Sequence, residues 1–403
     1  MSQRRRLLTA SVFGGQIFWF SLMFTFLKVV SQTCVPMLEG MVQSPSCPSG
    51  EVKFERSVLN AFMMVGSMSL ALVYYYGFVH GKEGVLPIRR KSMIYILLPS
   101  LLDTITCGLL MAGAMLIPMS LTLTLKGIRI LFSSILVIII FKRTQRGFNW
   151  AGVAIAMTGV ALAALSAVLN NSAAPSKNSQ SSGMTLLGIG LVLMSEFFRS
   201  LMVVTQEYLI KVVKTDPTFM IGLQGVYGGA MVIFLMIMAW LVVPGKDMDN
   251  SFENLSVTLQ LASRSNLIIA LLAVIPITSA LGFVCSAMVT KLLSSVHNAM
   301  ASVLMTALVW LIEILIHYAI DDHYGNSWGP YSALQLVGFS FVVLALLVYD
   351  GTFVKIPCLF EYPTESRVEI EASKEVKELE SIDDMTLTNE SVQVSRDSEY
   401  VKA

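Results

Sequence analysis

The chain has 403 residues, 55% of them hydrophobic and 14% charged, with a formal net charge of +1. That is more apolar surface than one water-soluble core hides, so the composition requires a lipid bilayer as partner. A near-neutral chain whose basic residues sit at segment ends excludes nucleic acid as a partner. Five scattered cysteines without a CxxC pair exclude a zinc centre or a disulfide-rich scaffold, leaving Cys34–Cys47 as the one plausible bridge.

The opening MSQRRRLLTA and the apolar stretch after it resemble a secretory signal but lack a small-x-small cleavage site, so 11–30 reads as a retained first span. A bilayer core takes about 20 apolar residues as helix, and lipid leaves no partner for free backbone groups. Windows of that kind recur at about 57–80, 93–114, 118–141, 148–169, 184–210, 218–243, 266–290, 297–318 and 329–350. The expectation is an all-α membrane protein with ten transmembrane helices.

Lysine and arginine set the orientation. Arg4, Arg5, Arg6, Lys82, Arg89, Arg90, Lys91, Lys142, Arg143, Arg146, Lys211, Lys214, Lys291 and Lys355 fall on one side, which is therefore cytosolic; Lys53, Arg56, Lys177, Lys246 and Arg264 fall on the other. Both termini then face the cytosol, and the sequons Asn170-Asn171-Ser172 and Asn254-Leu255-Ser256 face the lumen.

The polar run NNSAAPSKNSQSSG at 170–183 is a flexible lumenal linker between two five-helix halves, 11–169 and 184–350. WAGVAIAMTGVAL in the fifth span resembles LVGFSFVVLALLV in the tenth, with Gly152 opposite Gly338. An odd number of spans per half makes the repeat inverted, an arrangement found in carriers that rock one half on the other. Residues 1–10 form a cytosolic segment, and the acidic, serine-rich run at 351–403 reads as a disordered cytosolic tail.

Ionisable groups inside spans persist when they face a polar cavity or a partner. Lys126 and Arg129 in the fourth span are three apart and share a helix face, so they hold two cations that need an anion from another helix or from a solute. Asp103, Glu196, Glu207 and Glu313 are the carboxylates available. Lining of a substrate site and structural pairing with Asp103 or Glu196 are both open readings. Glu196 and Arg199 are spaced to neutralise each other locally, and Glu207 near Lys211 is a helix-end carboxylate. Gln224 and Tyr227 lie among Gly222, Gly225, Gly228 and Gly229, where helices approach closely. His297 and Asn298 open the ninth span as caps or as an anion site. Pro99, Pro118 and Pro276 are candidate bends.

Three stretches carry a family resemblance: LLPSLLDTITCGLLMAGAMLIPMSLTLTLKGIRILFSSILVIIIFKR, SEFFRSLMVVTQEYLIKVV and VTKLLSSVHNAMASVLMTALVWLIEIL. They resemble the drug/metabolite transporter superfamily, in particular the member-six-like group of solute carrier family 35 subfamily F, with nucleotide-sugar and chloroquine-resistance transporters as relatives. The resemblance implies ten spans in two inverted halves around a central cavity. It places Lys126, after Leu125, where nucleotide-sugar carriers hold a lysine near the nucleotide phosphates, and Asp103 at a subfamily aspartate. LQGVYGG and SSVHNAMAS replace the motifs of GDP-mannose carriers, which disfavours that solute.

The expected function is secondary transport of a small polar organic solute, a nucleotide, nucleotide-sugar or similar anion, by alternating access. The expected substrate-binding residues are Asp103, Lys126, Arg129, Glu196, Arg199, Gln224, Tyr227, His297 and Asn298. Carriage of amino acids, peptides or cationic drugs in an acidic organelle and a non-transporting scaffold are the alternatives. No Ser-His, HExxH or paired-aspartate arrangement indicates an enzyme, and no cofactor is expected. An internal membrane (lysosome, vacuole or Golgi) is the expected location, and a homodimer is possible.

Overall fold

The computed structural model describes residues 3–38, 47–79, 90–117, 122, 125–142, 145, 147–172, 182–241, 253–320, 325 and 327–349. The tail at 351–403, Pro118 and most of the 170–183 linker lie outside the described residues.

The first span is α1 (Gln3–Gln32), longer than its apolar window because the Arg-rich opening continues the helix. The second span is broken: α2 (Ser57–Gly66) passes through a tight turn at Ser67–Ser69 into α3 (Leu70–Tyr74) and a widened turn at Tyr75–Val79. Then follow α4 (Arg90–Leu116), α5 (Arg129–Phe141), α6 (Gly147–Ser172), α7 (Ser182–Lys211), α8 (Pro217–Leu241), α9 (Leu255–Ser263), α10 (Asn266–Leu292), α11 (Ser295–Ala319) and α12 (Ser332–Tyr349). Nine helices among the described residues are long and apolar enough to cross a membrane. The fourth expected window, 118–141, is not among them, because its described helix α5 covers 13 residues and a bilayer core needs about 20. The architecture is that of an all-α, multi-pass membrane protein, with apolar side chains such as Ile94, Leu98, Phe234 and Leu315 exposed on the outside.

Two elements beyond the spans cap one face. Strands β1 (Cys34–Pro36) and β2 (Glu51–Lys53) pair antiparallel with Val35 opposite Val52, and Cys34 is bridged to Cys47. Glu253, just before α9, is buried and accepts the Val58 and Leu59 amides at 2.8 and 3.0 Å, so a distant carboxylate caps α2. Asn254 is the N-cap of α9, its Oδ1 accepting the Ser256 amide at 3.0 Å.

Around the bundle, α6 lies along α12, α4 along α7, and α1 along α10 and α11; α5 packs on α7, and α8 crosses the broken second span and α4. Glycines set the closest approaches. A Cβ on Gly159 would sit 2.5 Å from the Gly338 carbonyl oxygen, and one on Gly338 would sit 2.6 Å from the Gly159 oxygen. Gly338 thus meets Gly159, whereas Gly152 meets Tyr349. Pro99 and Pro276 lie inside continuous α4 and α10.

Candidate functional site

Helix α7 is packed against both α4 and α5, so residues three apart on one of its faces reach different neighbours. Arg199 turns to α4, where its NH1 lies 2.6 Å from Asp103 Oδ1. Glu196 turns to α5, and its Oε2 accepts Arg129 Nε at 2.8 Å and NH2 at 2.7 Å. The expected local pairing of Glu196 with Arg199 is therefore overturned, because facing helices offer each charge a better-placed counter-ion. A buried pair survives desolvation only when geometry and further hydrogen bonds are good. Both conditions hold. Arg129 NH1 also donates to Ser302 Oγ on α11 at 3.1 Å, and Asp103 Oδ2 accepts Gln224 Nε2 from α8 at 3.4 Å.

Lys126 lies in the tight turn Lys126–Ile128 that precedes α5. Its ammonium sits over the Phe24 ring of α1, 4.7 Å from the centroid, and it is in no ion pair among the described residues. It feels the charges of Glu196, Arg129 and Arg199. Lys126 and Arg129 thus adjoin in sequence but diverge in partners: one meets an aromatic face, the other a carboxylate. The cluster holds three cations, Lys126, Arg129 and Arg199, against two carboxylates, Asp103 and Glu196, a surplus of one positive charge. Exposure divides by sign: the side chains of Arg129 and Arg199 are 13% and 12% exposed and Lys126 is half-buried, whereas Glu196 and Asp103 are 1% and 0% exposed. The cations are thus the less buried members of the cluster and the carboxylates the more buried.

Asp103, Lys126, Arg129, Glu196, Arg199 and Gln224 are brought together. Tyr227 is not: it lines an apolar outer groove with Leu97, Leu101 and Phe234. Neither His297 nor Asn298 is a cap, since α11 starts at Ser295 and its N-cap is Ser294, whose Oγ accepts the His297 amide at 3.5 Å. The His297 ring stands on Tyr349, centroids 5.2 Å apart. Asn298 belongs to a second polar knot, its Nδ2 donating to Ser286 Oγ at 2.7 Å and Thr290 Oγ1 at 2.9 Å while its Oδ1 accepts Gln16 Nε2 at 3.2 Å.

Sequence reasoning passed over Gln16, Phe24 and Ser302, and it placed Gln206 beside Glu207 near the end of the sixth span without a role in the site. Gln206 donates to Gln224 Oε1 at 2.7 Å and so extends the Asp103 network. Gln16 carried a signal, a lone amide inside an apolar window; Phe24 carried none. Glu313 is paired with Lys28 of α1 at 2.7 Å. Glu207 binds Lys211 at 2.8 Å as expected, and also accepts the Ser295 amide at 2.8 Å to hold the start of α11. Among the described residues no group of three His, Cys, Asp or Glu is placed to hold a metal.

No family model matches the chain. Solute carrier family 35 member F6 of Mus musculus is 20% identical over 312 residues, which cover 75% of this chain and 80% of that protein. The chain is thus similar, at low identity, to a family 35 solute carrier. The Rattus norvegicus protein of the same name matches equally, at 20% over the same shares. An uncharacterized protein of Schizosaccharomyces pombe, C12G12.12, is 22% identical over 275 residues, 68% of this chain and 78% of that one. A protein crystal structure, 12% identical, superposes with a TM-score of 0.56 over 87% of this chain and all of its own, which shows a shared fold alone.

Proposed function

We propose that the chain is a secondary-active carrier of a small organic anion, a nucleotide, nucleotide-sugar or similar solute, that works by alternating access in an internal membrane. Kinship with solute carriers and the multi-span helical architecture point to a membrane transporter rather than an enzyme. One observation carries the choice of an anion: the surplus cation Lys126, partly exposed, stands beside Arg129 with no carboxylate of its own among the described residues. A solute bearing negative charge completes that cluster. A cationic drug or peptide amine finds the two carboxylates already committed to arginines and more deeply buried.

The helix neighbours support a two-half mechanism. The first span packs on the eighth and ninth as the sixth packs on the third and fourth, the fifth packs on the tenth, and the second packs on the seventh. Exchanging spans one to five with six to ten maps this pattern onto itself, as an inverted repeat requires.

The test is Lys126→Ala in proteoliposomes, assayed by counterflow with nucleotides, nucleotide-sugars and dicarboxylates. Loss of a charge-assisted contact of about 1.5–3 kcal/mol predicts uptake falling roughly 10- to 150-fold. The melting temperature should hold, since no ion pair of Lys126 is broken. Uptake at the wild-type rate in that variant refutes the binding mode. Removing 361–403 checks the scaffold alternative, because a carrier keeps its flux without the tail.

A further inference from the structure

We infer that Glu207 and Lys211 form a releasable latch at the cytosolic end of α7, which holds the turn between α10 and α11 and lets it go when the centre opens to that side. This rests on the alternating-access reading above. Two packing groups meet at the latch: α7 lies with α4 and α5, whereas α10 and α11 lie with α1. Lys211, Lys214 and Lys291 make this end the cytosolic one under the positive-inside rule.

Both members of one ion pair build the latch. Helix α10 ends at Leu292 and α11 begins at Ser295, so the turn between them presents an amide and a carbonyl that need partners from outside either helix. Glu207 Oε2 accepts the Ser295 amide at 2.8 Å, and Lys211 Nζ donates to the Leu293 carbonyl oxygen at 2.8 Å. One turn apart on α7, the two side chains also pair with each other at 2.8 Å. Glu207 is 0% exposed and Lys211 is 18% exposed. The latch lies eleven residues beyond Glu196, about 16 Å along the helix, and so stands apart from the charge cluster.

What marks this contact as reversible is that its release strands no charge. When the turn withdraws, Glu207 and Lys211 keep each other as partners on α7. The bonds that break across the two groups are those of the Ser295 amide and the Leu293 carbonyl, at an end of the bundle where water replaces them. The turn also keeps its form by itself: the Leu293 amide donates to the Val289 carbonyl at 2.8 Å, and Ser294 caps α11. Asp103 with Arg199 and Glu196 with Arg129 are the contrast. Those pairs lie within the α4, α5 and α7 group, and parting either leaves a carboxylate at most 1% exposed without its cation. Polar contacts that exchange with water suit a joint that opens; the buried pairs suit a group that moves as one body.

Pulsed electron double resonance on the full chain reads the latch without any solute. Spin labels are placed at Lys214→Cys and Lys291→Cys, both exposed, with Cys107 and Cys285 replaced by serine. One dominant distance is expected in this parent. Glu207→Gln combined with Lys211→Met removes both charges and leaves neither buried alone. Ser295→Pro removes only the amide that Glu207 accepts, at the first helical position, where proline fits and where the preceding Ser294 is already extended. In each variant the separated form should gain at least roughly 10-fold in population, seen as a second, longer distance. A variant that melts earlier yet keeps the single parent distance overturns the latch, because a mere support of the fold behaves that way. An unchanged distance in both variants at an unchanged melting temperature also overturns it; the carrier reading then stands. A second distance, with no counterflow of nucleotide, nucleotide-sugar or dicarboxylate by the unsubstituted protein, overturns the carrier reading and with it the role given to the latch.

Discussion

Arg199→Met is expected to lower stability by about 3–5 kcal/mol, because it strands Asp103 as a bare charge at a site that is 0% exposed. Gln224, at 3.4 Å, provides one neutral hydrogen bond, which does not replace a guanidinium at 2.6 Å. The double change Asp103→Leu with Arg199→Met removes both charges and fills the volume with apolar atoms. It should return to within about 1 kcal/mol of the parent or exceed it. Thermal unfolding in detergent micelles measures both, and the ordering is the result that matters. A double variant as unstable as the single one would mean that the pair contributes net stability rather than being a cost met by geometry. Transport should be lost in both, since Arg199 and Asp103 set the charge balance in which Lys126 and Arg129 work.

The composition made the membrane architecture legible, and the rule that buried charge needs company found all five ionised members of the cluster. It offered Glu196 as one of two partners for Arg129, the pair the structure has, but set Arg199 against Glu196 rather than Asp103. The i, i+3 spacing of Glu196 and Arg199 states that they share a face, and local neutralisation follows only if no other helix is near. Here α7 is flanked by α4 and α5, and each flank supplies a counter-ion at 2.6–2.8 Å. The break of the second span at Ser67–Ser69 is marked in the sequence only by the Gly66-Ser67 pair at its start. Its cause is on another helix, where Gly225 brings α8 against that turn. Likewise β1, β2 and α9 escaped notice because short capping elements owe their form to contacts such as Glu253 on α2 rather than to periodicity. Phe24 has no chemistry that distinguishes it from other apolar residues of α1 until Lys126 stands over it.

Gly225→Ala should be the most damaging of the single-methyl changes. Its Cβ would lie 2.2 Å from the Ser69 amide nitrogen and 2.6 Å from the Met68 carbonyl carbon. Both are backbone atoms, so no rotamer change relieves the clash, and α8 must move off the second span. Overpacking of that kind costs about 1–3 kcal/mol or more. Because Gln224 precedes Gly225 and holds Asp103 and Gln206, the displacement also reaches the charge cluster. Gly190→Ala on α7 is the matched control: nothing lies within 4 Å of its added carbon, and removing a helical glycine should leave stability equal or raise it by up to ~1 kcal/mol. Side-by-side melting curves and uptake rates decide the point. If the two variants behave alike, the contact between α8 and the tight turn is not what fixes the position of Gln224, and the route from helix packing to site geometry must run through α4 instead.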